Sequence, residues 1–186
     1  MVMAMNKPRG CLCTNTDPHG GRTVFDLLPP ELRRQKLFCV GRLDKESEGL
    51  LLLTNDGGLQ QRLAHPSYHV LRKYHVDLDR PLQAADIAKL QRGISWEGAR
   101  LAVEKVFPRG RAGGADWKSL EVTLHHGRKR EIRRLFYAFG YDVRRLRRVQ
   151  IGQFRLRGLP KGTCRVLAPQ EIQLLFAREE SSPRRE

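Results

Sequence analysis

The residue with the clearest chemical potential in this sequence is Asp44, a carboxylate in the turn Gly41-Arg42-Leu43-Asp44. The turn lies between two apolar segments, residues 37–40 and 49–54, which are typical of buried strands. A carboxylate at a strand end beside arginine side chains stays ionised and can act as a nucleophile or a base. A strand-end aspartate more often only caps a turn or pairs with a nearby arginine, and the local pattern leaves that alternative open.

A second chemical feature is the positive segment 128–148, which holds nine basic residues against two acidic ones. Most of the basic residues are arginine, whose planar guanidinium binds phosphate through two hydrogen bonds and stacks on bases. A solvated helix face is the alternative, but such faces usually mix both signs of charge. The segment therefore favours nucleic-acid binding.

The whole composition supports a polyanionic partner. The chain has 186 residues, 35 Lys and Arg against 20 Asp and Glu, and a formal net charge of +15. Hydrophobic residues make up 40% of the chain, which is enough for an ordinary core. We expect one domain, of a size typical of small enzymes, over residues 1–177. A charged, disordered tail without an apolar face is expected at 178–186.

Several classes of protein are excluded or disfavoured. The longest leucine run, residues 50–53, is far shorter than the roughly 20 apolar residues of a membrane span. No signal peptide is visible, so a cytoplasmic protein without membrane contact is expected. The four cysteines form no Cys-x-x-Cys pair, and Pro66 interrupts the spacing between His65 and His69. Reduced thiols, no metal site and no cofactor are the resulting expectations.

The elements that must position these residues can be predicted from periodicity. Residues 44–48 are predicted to form an exposed polar loop between two buried strands. Ile132, Leu135, Phe136 and Phe139 recur at helical spacing before Gly140, which predicts a docked amphipathic helix with arginines at its N-terminal end. Other predicted helices cover residues 23–28, 59–65, 86–92 and 169–176, and a flexible hairpin tip covers 109–114. Predicted strands cover residues 2–8, 37–40, 49–54, 73–78, 101–106, 119–125, 149–154 and 164–167. Helices and strands alternate without a strict βαβ rhythm, which favours an α+β fold with a mixed or antiparallel sheet.

Four ordered motifs carry a resemblance to a known family. Residues 41–57, Gly-Arg-Leu-Asp-Lys-Glu-Ser-Glu-Gly-Leu-Leu-Leu-Leu-Thr-Asn-Asp-Gly, closely resemble the signature of the RsuA-like family of ribosomal RNA pseudouridine synthases. Asn6-Lys7-Pro8 is similar to the family's opening strand, Lys73-Tyr74-His75-Val76 to its second motif, and residues 127–134 to its third. The resemblance covers roughly residues 2–176. It implies the pseudouridine synthase fold, with a mixed, mainly antiparallel sheet, flanking helices and two lobes around a basic cleft.

The resemblance also implies roles for individual residues. Asp44 matches the essential catalytic aspartate, and Arg42 matches an arginine that opens the RNA around a flipped nucleotide. Tyr74 matches a tyrosine that lies against the target uracil and is implicated in proton transfer. Arg133 matches an arginine that pairs with the catalytic carboxylate. RNA contacts are expected from the remaining basic residues of the motifs: Lys73, Arg128, Lys129, Arg130 and Arg134.

The implied activity is isomerisation of a specific uridine, in 23S ribosomal RNA of the large subunit, to pseudouridine. This reaction needs no cofactor but requires the base to leave the stack. Two departures stand out. Ser47 replaces the threonine of many relatives, and the opening strand at residue 2 indicates the form without the S4-type RNA-binding domain. The partner is then ribosomal RNA or a pre-ribosomal particle, bound by a monomer.

The sequence alone leaves two other functions open. One is a catalytically inactive RNA-binding or ribosome-assembly factor with the same fold, and the other is an enzyme that modifies transfer RNA by the same chemistry. The sequence also leaves open which uridine is chosen, and whether Asp44 attacks the sugar, the base or a proton.

Overall fold

The structure is a computed structural model that describes residues 1–68, 70–110, 116–125 and 127–177. The predicted tail at 178–186, most of the predicted hairpin tip at 109–114 and His69 lie outside the described residues. The strands are β1 Val2–Lys7, β2 Phe38–Val40, β3 Glu48–Thr54, β4 Arg72–Leu78, β5 Ile94–Trp96, β6 Ala99–Leu101, β7 Lys105–Arg109, β8 Asp116–Leu124, β9 Val143–Ile151, β10 Phe154–Arg155 and β11 Cys164–Val166. The α-helices are α1 Pro30–Arg33, α2 Gly57–Ala64, α3 Ala84–Arg92, α4 Glu131–Ala138 and α5 Pro169–Leu174. Short 3-10 turns cover Phe25–Leu27 and Pro66–Tyr68.

One mixed sheet joins most of these strands, in the order β11-β1-β3-β9-β4-β8-β7, with β2 on β3 and β10 on β9. Every pairing is antiparallel except that of β3 with β9, which places Glu48 opposite Arg147 and Gly49 opposite Arg148. Gly49 has φ +102°, and a Cβ atom there would lie 2.2 Å from the carbonyl oxygen of Arg148. Only glycine permits this close approach of the two strands. The predicted α+β fold with a mixed, mainly antiparallel sheet and flanking helices is confirmed.

Strands β1 and β3 of the sheet are buried on both faces. Alternate residues of β1 and β3 enter two hydrophobic cores, because successive side chains of a strand point to opposite faces. Met3 and Leu51 share one core with Leu135 and Phe136 of α4. The second core packs α2 and the end of α5 against the other face. This burial explains the apolar runs at residues 2–5 of β1 and 50–53 of β3.

Most of the predicted elements are confirmed, with shifted bounds. Helix α4 ends as expected before Gly140, which has φ +79°. Strand β9 begins six residues before the predicted strand at 149–154. Four arginines in β9 interrupt the alternation of apolar and polar residues from which a strand is predicted. Helix α1 was not predicted, and residues 11–14 form only an isolated bridge from Leu12 to Thr23.

The prediction of an exposed loop at 44–48 is wrong at its end, because Ser47 is 1% and Glu48 2% exposed. Glu48 is the first residue of β3 and forms ion pairs with Arg145 and, at 2.9 Å, with Lys161. These partners come from distant parts of the chain and offset the cost of burying the carboxylate. Within the described residues, no helix has the length and apolar character needed to cross a membrane.

Candidate active site

A cleft with a cavity volume of about 450 Å³ opens where several connections of the sheet meet. Its wall is formed by the segment after β1, the connection from β2 to β3, and the connection from β8 to α4, with Tyr74 and Leu146 from the central strands. Carboxylates, guanidinium groups and one tyrosine therefore face a common space. Six of the nine predicted site residues line this cleft, whereas Lys73, Arg133 and Arg134 are not among its lining residues.

Asp44 lies half-buried on the cleft wall. Its backbone carbonyl accepts a hydrogen bond from the N–H of Ser47 at 3.0 Å, which closes a tight turn. The same carbonyl accepts a second hydrogen bond, of 3.1 Å, from the Lys7 ammonium. The loop is therefore held by its backbone, which leaves the Asp44 side chain free to face the cleft.

Lys7 is a buried residue that contacts the loop of Asp44, and the sequence patterns did not single it out as a site residue. It is 0% exposed, and its Nζ atom donates to the carbonyls of Pro8, Lys45 and Ser47 at 3.1, 3.4 and 2.8 Å as well as to that of Asp44. Burial lowers the pKa of the ammonium, and nearby thiols and the Asp44 carboxylate oppose that shift. The available signal was a lysine at the end of a strand that begins with four apolar residues, because a fully buried lysine is almost always paired.

Ser47 contributes a second group that the sequence analysis did not single out as a site residue. Its side chain lines the cleft, and its buried Oγ atom has no hydrogen-bond partner among the described residues. A buried hydroxyl without a partner costs free energy unless a bound molecule satisfies it. Among the described residues, the Ser47 hydroxyl is therefore an unsatisfied polar group at the cleft.

Arg133 lies in the first turn of α4 and is half-buried. Its Nη1 atom donates to the carbonyl of Val143 at 2.7 Å, whereas its Nε and Nη2 atoms are buried without hydrogen-bond partners in the described structure. Burial and the neighbouring Arg130 lower the pKa of the guanidinium, and the Asp44 and Glu46 carboxylates oppose the shift. The charges of Arg133 and Asp44 thus influence each other, although no direct ion pair joins them among the described side chains.

Lys73 and Tyr74 are consecutive residues of β4, so their side chains lie on opposite faces of the sheet. Tyr74 is 6% exposed and lines the cleft. Lys73 is on the opposite face of the strand, where its Nζ atom lies 3.9 Å from a carboxylate oxygen of Glu121. The structure brings Tyr74 to Asp44 and does not bring Lys73 there.

Four other predicted basic residues line the cleft: Arg42, Arg128, Lys129 and Arg130. All four are exposed at its rim. Arg130 has φ +54° and donates through Nη1 to Glu46 at 3.2 Å, which links the loop before α4 to the Asp44 loop. The backbone N–H of Glu46 itself and the Arg130 guanidinium help to hold the pKa of the Glu46 carboxyl below its ordinary value.

Arg134 is not among the residues that line the cleft. Its Nη1 atom donates to Glu97 at 3.1 Å, and its guanidinium lies 5.5 Å from the ring centre of Trp96. These contacts attach α4 to the hairpin of β5 and β6.

The second half of the positive segment 128–148 is also partly structural. Arg148 is buried in β9, where its Nε atom donates to the carbonyl of Leu50 at 2.7 Å. Arg145 pairs with Glu48, as described above. The sequence did not distinguish these arginines from the exposed ones at the cleft.

Within the part of the chain that the structure describes, no group of three or more His, Cys, Asp or Glu side chains is arranged to hold a metal ion. The chemistry available at the cleft is that of three carboxylates, one phenol, two hydroxyls, one thiol and several guanidinium and ammonium groups.

Known proteins are similar to this chain in sequence and in fold. The chain is 45% identical over 162 residues to ribosomal large subunit pseudouridine synthase B of Yersinia pestis, a match that covers 87% of this chain and 50% of that protein. The Haemophilus influenzae protein of the same name is 42% identical over 162 residues, or 87% of this chain and 44% of that protein. The chain thus spans about half the length of these curated relatives.

Solved structures of other proteins have the same fold as this chain. A crystal structure of a pseudouridylate synthase superposes with a TM-score of 0.81 at 31% identity and covers 94% of this chain and 73% of that one. An H/ACA ribonucleoprotein bound to a substrate RNA shares the fold at a TM-score of 0.58 and 20% identity, covering 86% of this chain and 50% of that one. The expected pseudouridine synthase fold is therefore confirmed.

The resemblance found in the four motifs extends over most of the chain. A family model described as RNA pseudouridylate synthase matches residues 1–138, which include the Asp44 loop, Tyr74 and Arg133. This match, the fold and the shared identity establish that the chain belongs to the RNA pseudouridylate synthase family.

Proposed function

We propose that this protein is a ribosomal RNA pseudouridine synthase that isomerises a specific uridine of the large-subunit RNA. The observation that carries the proposal is the Asp44 carboxylate on the wall of a cleft rimmed by exposed arginines, in a chain of this family. The names of the curated relatives support the large subunit as the source of the RNA. Residues 1–177 would form the catalytic domain, acting as a monomer in the cytoplasm, where bacterial ribosomes are made.

The rim of the cleft would bind the RNA backbone. Arg42, Arg128, Lys129 and Arg130 are exposed and positively charged, and such groups attract phosphates without reading sequence. The target uridine lies in a stack, so it must be flipped into the cleft before its atoms can be reached. Arg42 is next to the Asp44 loop and would fill the space that the base leaves.

The reaction breaks the bond between N1 of uracil and C1′ of the ribose, turns the base and rejoins it through C5. Asp44 would start the reaction by attacking the sugar or the base, or by taking the C2′ proton. The Arg133 guanidinium interacts electrostatically with this carboxylate, and its Nε and Nη2 atoms have no hydrogen-bond partner among the described residues. No atom is gained or lost, so the protein needs only to retain and turn the uracil.

Tyr74 and Ser47 would hold the base during the turn. The buried ring of Tyr74 offers a flat apolar surface to the uracil and a phenol for proton transfer. The unpartnered Ser47 hydroxyl would hydrogen-bond a polar atom of the flipped nucleotide. Together these groups keep the detached base from diffusing away.

The test compares the wild-type protein with Asp44→Asn on unmodified ribosomal RNA transcripts. Pseudouridine is mapped by carbodiimide labelling and primer extension. A stop made by the wild type and absent with the variant is expected, and it identifies the nucleotide. Because some uridines are presented only in an assembling particle, the assay is repeated on ribosomal particles that lack the modification.

Two rival functions are outcomes of the same experiment. Absence of any stop on RNA and on particles, with RNA binding retained, would support an idle binding or assembly factor. Conversion of purified transfer RNA in place of ribosomal RNA would support a transfer RNA enzyme with the same chemistry.

A further inference from the structure

The hairpin of β5 and β6 lies outside the cleft, and the proposed reaction does not use it. None of its residues is among those that line the cleft. It is attached to α4 by Arg134, as described above, and its residues Ile94 and Trp96 pack against the main hydrophobic core, which includes Leu101. A two-stranded hairpin is marginally stable alone, so these contacts hold it in one position beside the cleft.

A series of arginines leads from the cleft to this hairpin. Arg128 lines the cleft, and its Nη1 atom donates a hydrogen bond to the backbone carbonyl of Arg100 in β6. The Nε and Nη2 atoms of Arg100 donate in turn to the carbonyl of Arg92, at 3.1 and 2.9 Å. Arg92 is the last residue of α3. The three arginines therefore follow one another from the cleft wall to the end of α3, and all three are exposed.

The positive charges of these arginines are not neutralised by neighbouring acids. Among the described residues, Arg92, Arg100 and Arg128 form no ion pair, and backbone carbonyls accept the hydrogen bonds of Arg100 and Arg128. In contrast, Arg134 is paired with Glu97 of the same hairpin at 3.1 Å. A carbonyl orients a guanidinium without cancelling its charge. Because an arginine has five N–H donors, Arg100 and Arg128 each keep donors for an anion.

We propose that the β5–β6 hairpin is a second RNA-binding element, in which Arg100 and Arg92 bind backbone phosphates of the RNA that flanks the flipped nucleotide. The identity of the anion as RNA rests on the proposed function. A guanidinium binds a phosphate through two parallel N–H groups, and the exposed side chain of Arg100 has such groups left. Since Arg128 joins the hairpin to the cleft rim, RNA that leaves the cleft beside Arg128 reaches Arg100 next.

Continuity with the cleft and charge complementarity favour RNA over an acidic protein. The hairpin extends a rim that already holds Arg128, Lys129 and Arg130, in a chain with a formal net charge of +15. Base stacking on Trp96 is not favoured, because this residue is half-buried and its ring centre lies 5.5 Å from the Arg134 guanidinium. The hairpin therefore contacts phosphates and binds flanking RNA without reading its sequence.

The experiment measures the affinity of the full-length protein for a fluorescein-labelled stem-loop RNA, by anisotropy at several salt concentrations. The RNA has a uridine-rich loop and a stem of two helical turns. For Arg100→Ala we expect about fivefold weaker binding near physiological salt, the contribution of one phosphate contact. The slope of log affinity against log salt should become shallower by about 1, and by about 2 when Arg92→Ala is added.

Arg33→Ala is the matched control. Arg33 is exposed, and its Nε and Nη2 atoms also donate to backbone carbonyls, those of Leu28 and Asp26, both at 2.8 Å. It is not among the residues that line the cleft. We expect the slope of this variant to equal that of the wild type. Equal changes of slope for Arg33→Ala and Arg100→Ala would reflect net charge rather than a contact, and would overturn the proposal.

Arg100→Lys separates the charge of this side chain from its hydrogen bonds to the Arg92 carbonyl. Lysine keeps the charge and lacks the planar guanidinium, so the slope should stay near that of the wild type. Melting temperatures are measured in parallel. If Arg100→Lys loses as much slope as Arg100→Ala, the role of Arg100 is structural and the proposal is wrong.

The outcomes also separate this proposal from the proposed function. An unchanged slope for Arg100→Ala, in a protein that forms pseudouridine, overturns RNA binding by the hairpin and leaves the proposed function intact. The expected slopes in a protein that modifies no RNA support the hairpin contact and contradict the proposed function.

Discussion

The Nζ atom of Lys7 donates a hydrogen bond of 3.1 Å to the backbone carbonyl of Asp44, so the end of the first strand holds the loop of the proposed catalytic carboxylate. Three further carbonyls share the same ammonium. Strand β1 lies beside β3 in the sheet, and this pairing carries Lys7 to Gly49 at the start of β3. The position of Asp44 is therefore set by a residue 37 positions away in sequence.

The first prediction concerns this buried ammonium. Lys7→Met keeps the volume of the side chain and removes the donor, which leaves buried carbonyls unsatisfied. We expect a loss of at least about 2 kcal/mol in the free energy of unfolding, measured by urea denaturation, and a loss of activity in the fraction that stays folded. Lys36→Met, at an exposed lysine, is the control. Equal effects of the two substitutions would show that Lys7 does not hold the loop.

Arg133 and Arg134 are neighbours on α4 that the structure assigns to different surroundings, and they form a matched pair. Arg133→Gln removes the charge and the free N–H groups near Asp44, so kcat should fall about a hundredfold, as for other lost donors at developing charge. Arg134→Gln disturbs only the contacts with Glu97 and Trp96, so its kcat should stay near that of the wild type. A larger loss at Arg134 would contradict the assignment.

The Ser47 hydroxyl has no partner in the described structure, and this leads to an unusual expectation. Ser47→Ala should lower kcat/KM about threefold to tenfold, the effect of one lost hydrogen bond to substrate, without lowering the melting temperature. Ser47→Thr keeps the hydroxyl and should retain activity. A lower melting temperature of Ser47→Ala with unchanged kcat/KM would indicate a structural role instead.

RNA affinity should depend on the cleft residues and not on Lys73. Arg130→Ala removes one charge from the rim, so the slope of log affinity against log salt should become shallower by about 1. Lys73→Ala should leave the slope unchanged, since Lys73 is on the other face of β4 beside Glu121. Binding is measured by fluorescence anisotropy at several salt concentrations. A shallower slope for Lys73→Ala would show that Lys73 does contact the RNA.

Cys13 lines the cleft, and its Sγ atom accepts a hydrogen bond of 3.4 Å from the backbone N–H of Leu43. The pH dependence of thiol labelling tests this environment. The Cys13 pKa of about 6 means that the reactive thiolate is present above that pH and is lost as pH falls through it. The iodoacetamide rate at Cys13 should therefore rise from pH 5 to pH 7 and then level off. Cys39 is the largest cause of the lowered pKa of Cys13, so Cys39→Ala should move the midpoint upwards. Cys164, whose pKa is raised by burial, should react only at higher pH and is the internal control.

Sequence alone predicted the main local elements and singled out Asp44 as the candidate catalytic acid. Apolar runs and period-two or helical spacing were sufficient to predict β1, β3, β4 and α4, because burial on one or both faces imposes these patterns directly. The four motifs indicated the family and singled out Asp44, Tyr74 and Arg133. These conclusions depend on residues close together in the chain, where the pattern itself carries the information.

Only the tertiary structure decided which charged residues face the cleft. A run of arginines has the same sequence signature whether it lies in a loop or in a central strand, so the buried Arg148 could not be told from the exposed Arg130. The contacts of Lys7 with the Asp44 loop and of Cys13 with Leu43 depend on strands and loops that are distant in sequence. Strand order and register place these groups together, and they are set by packing of the whole sheet rather than by any local preference.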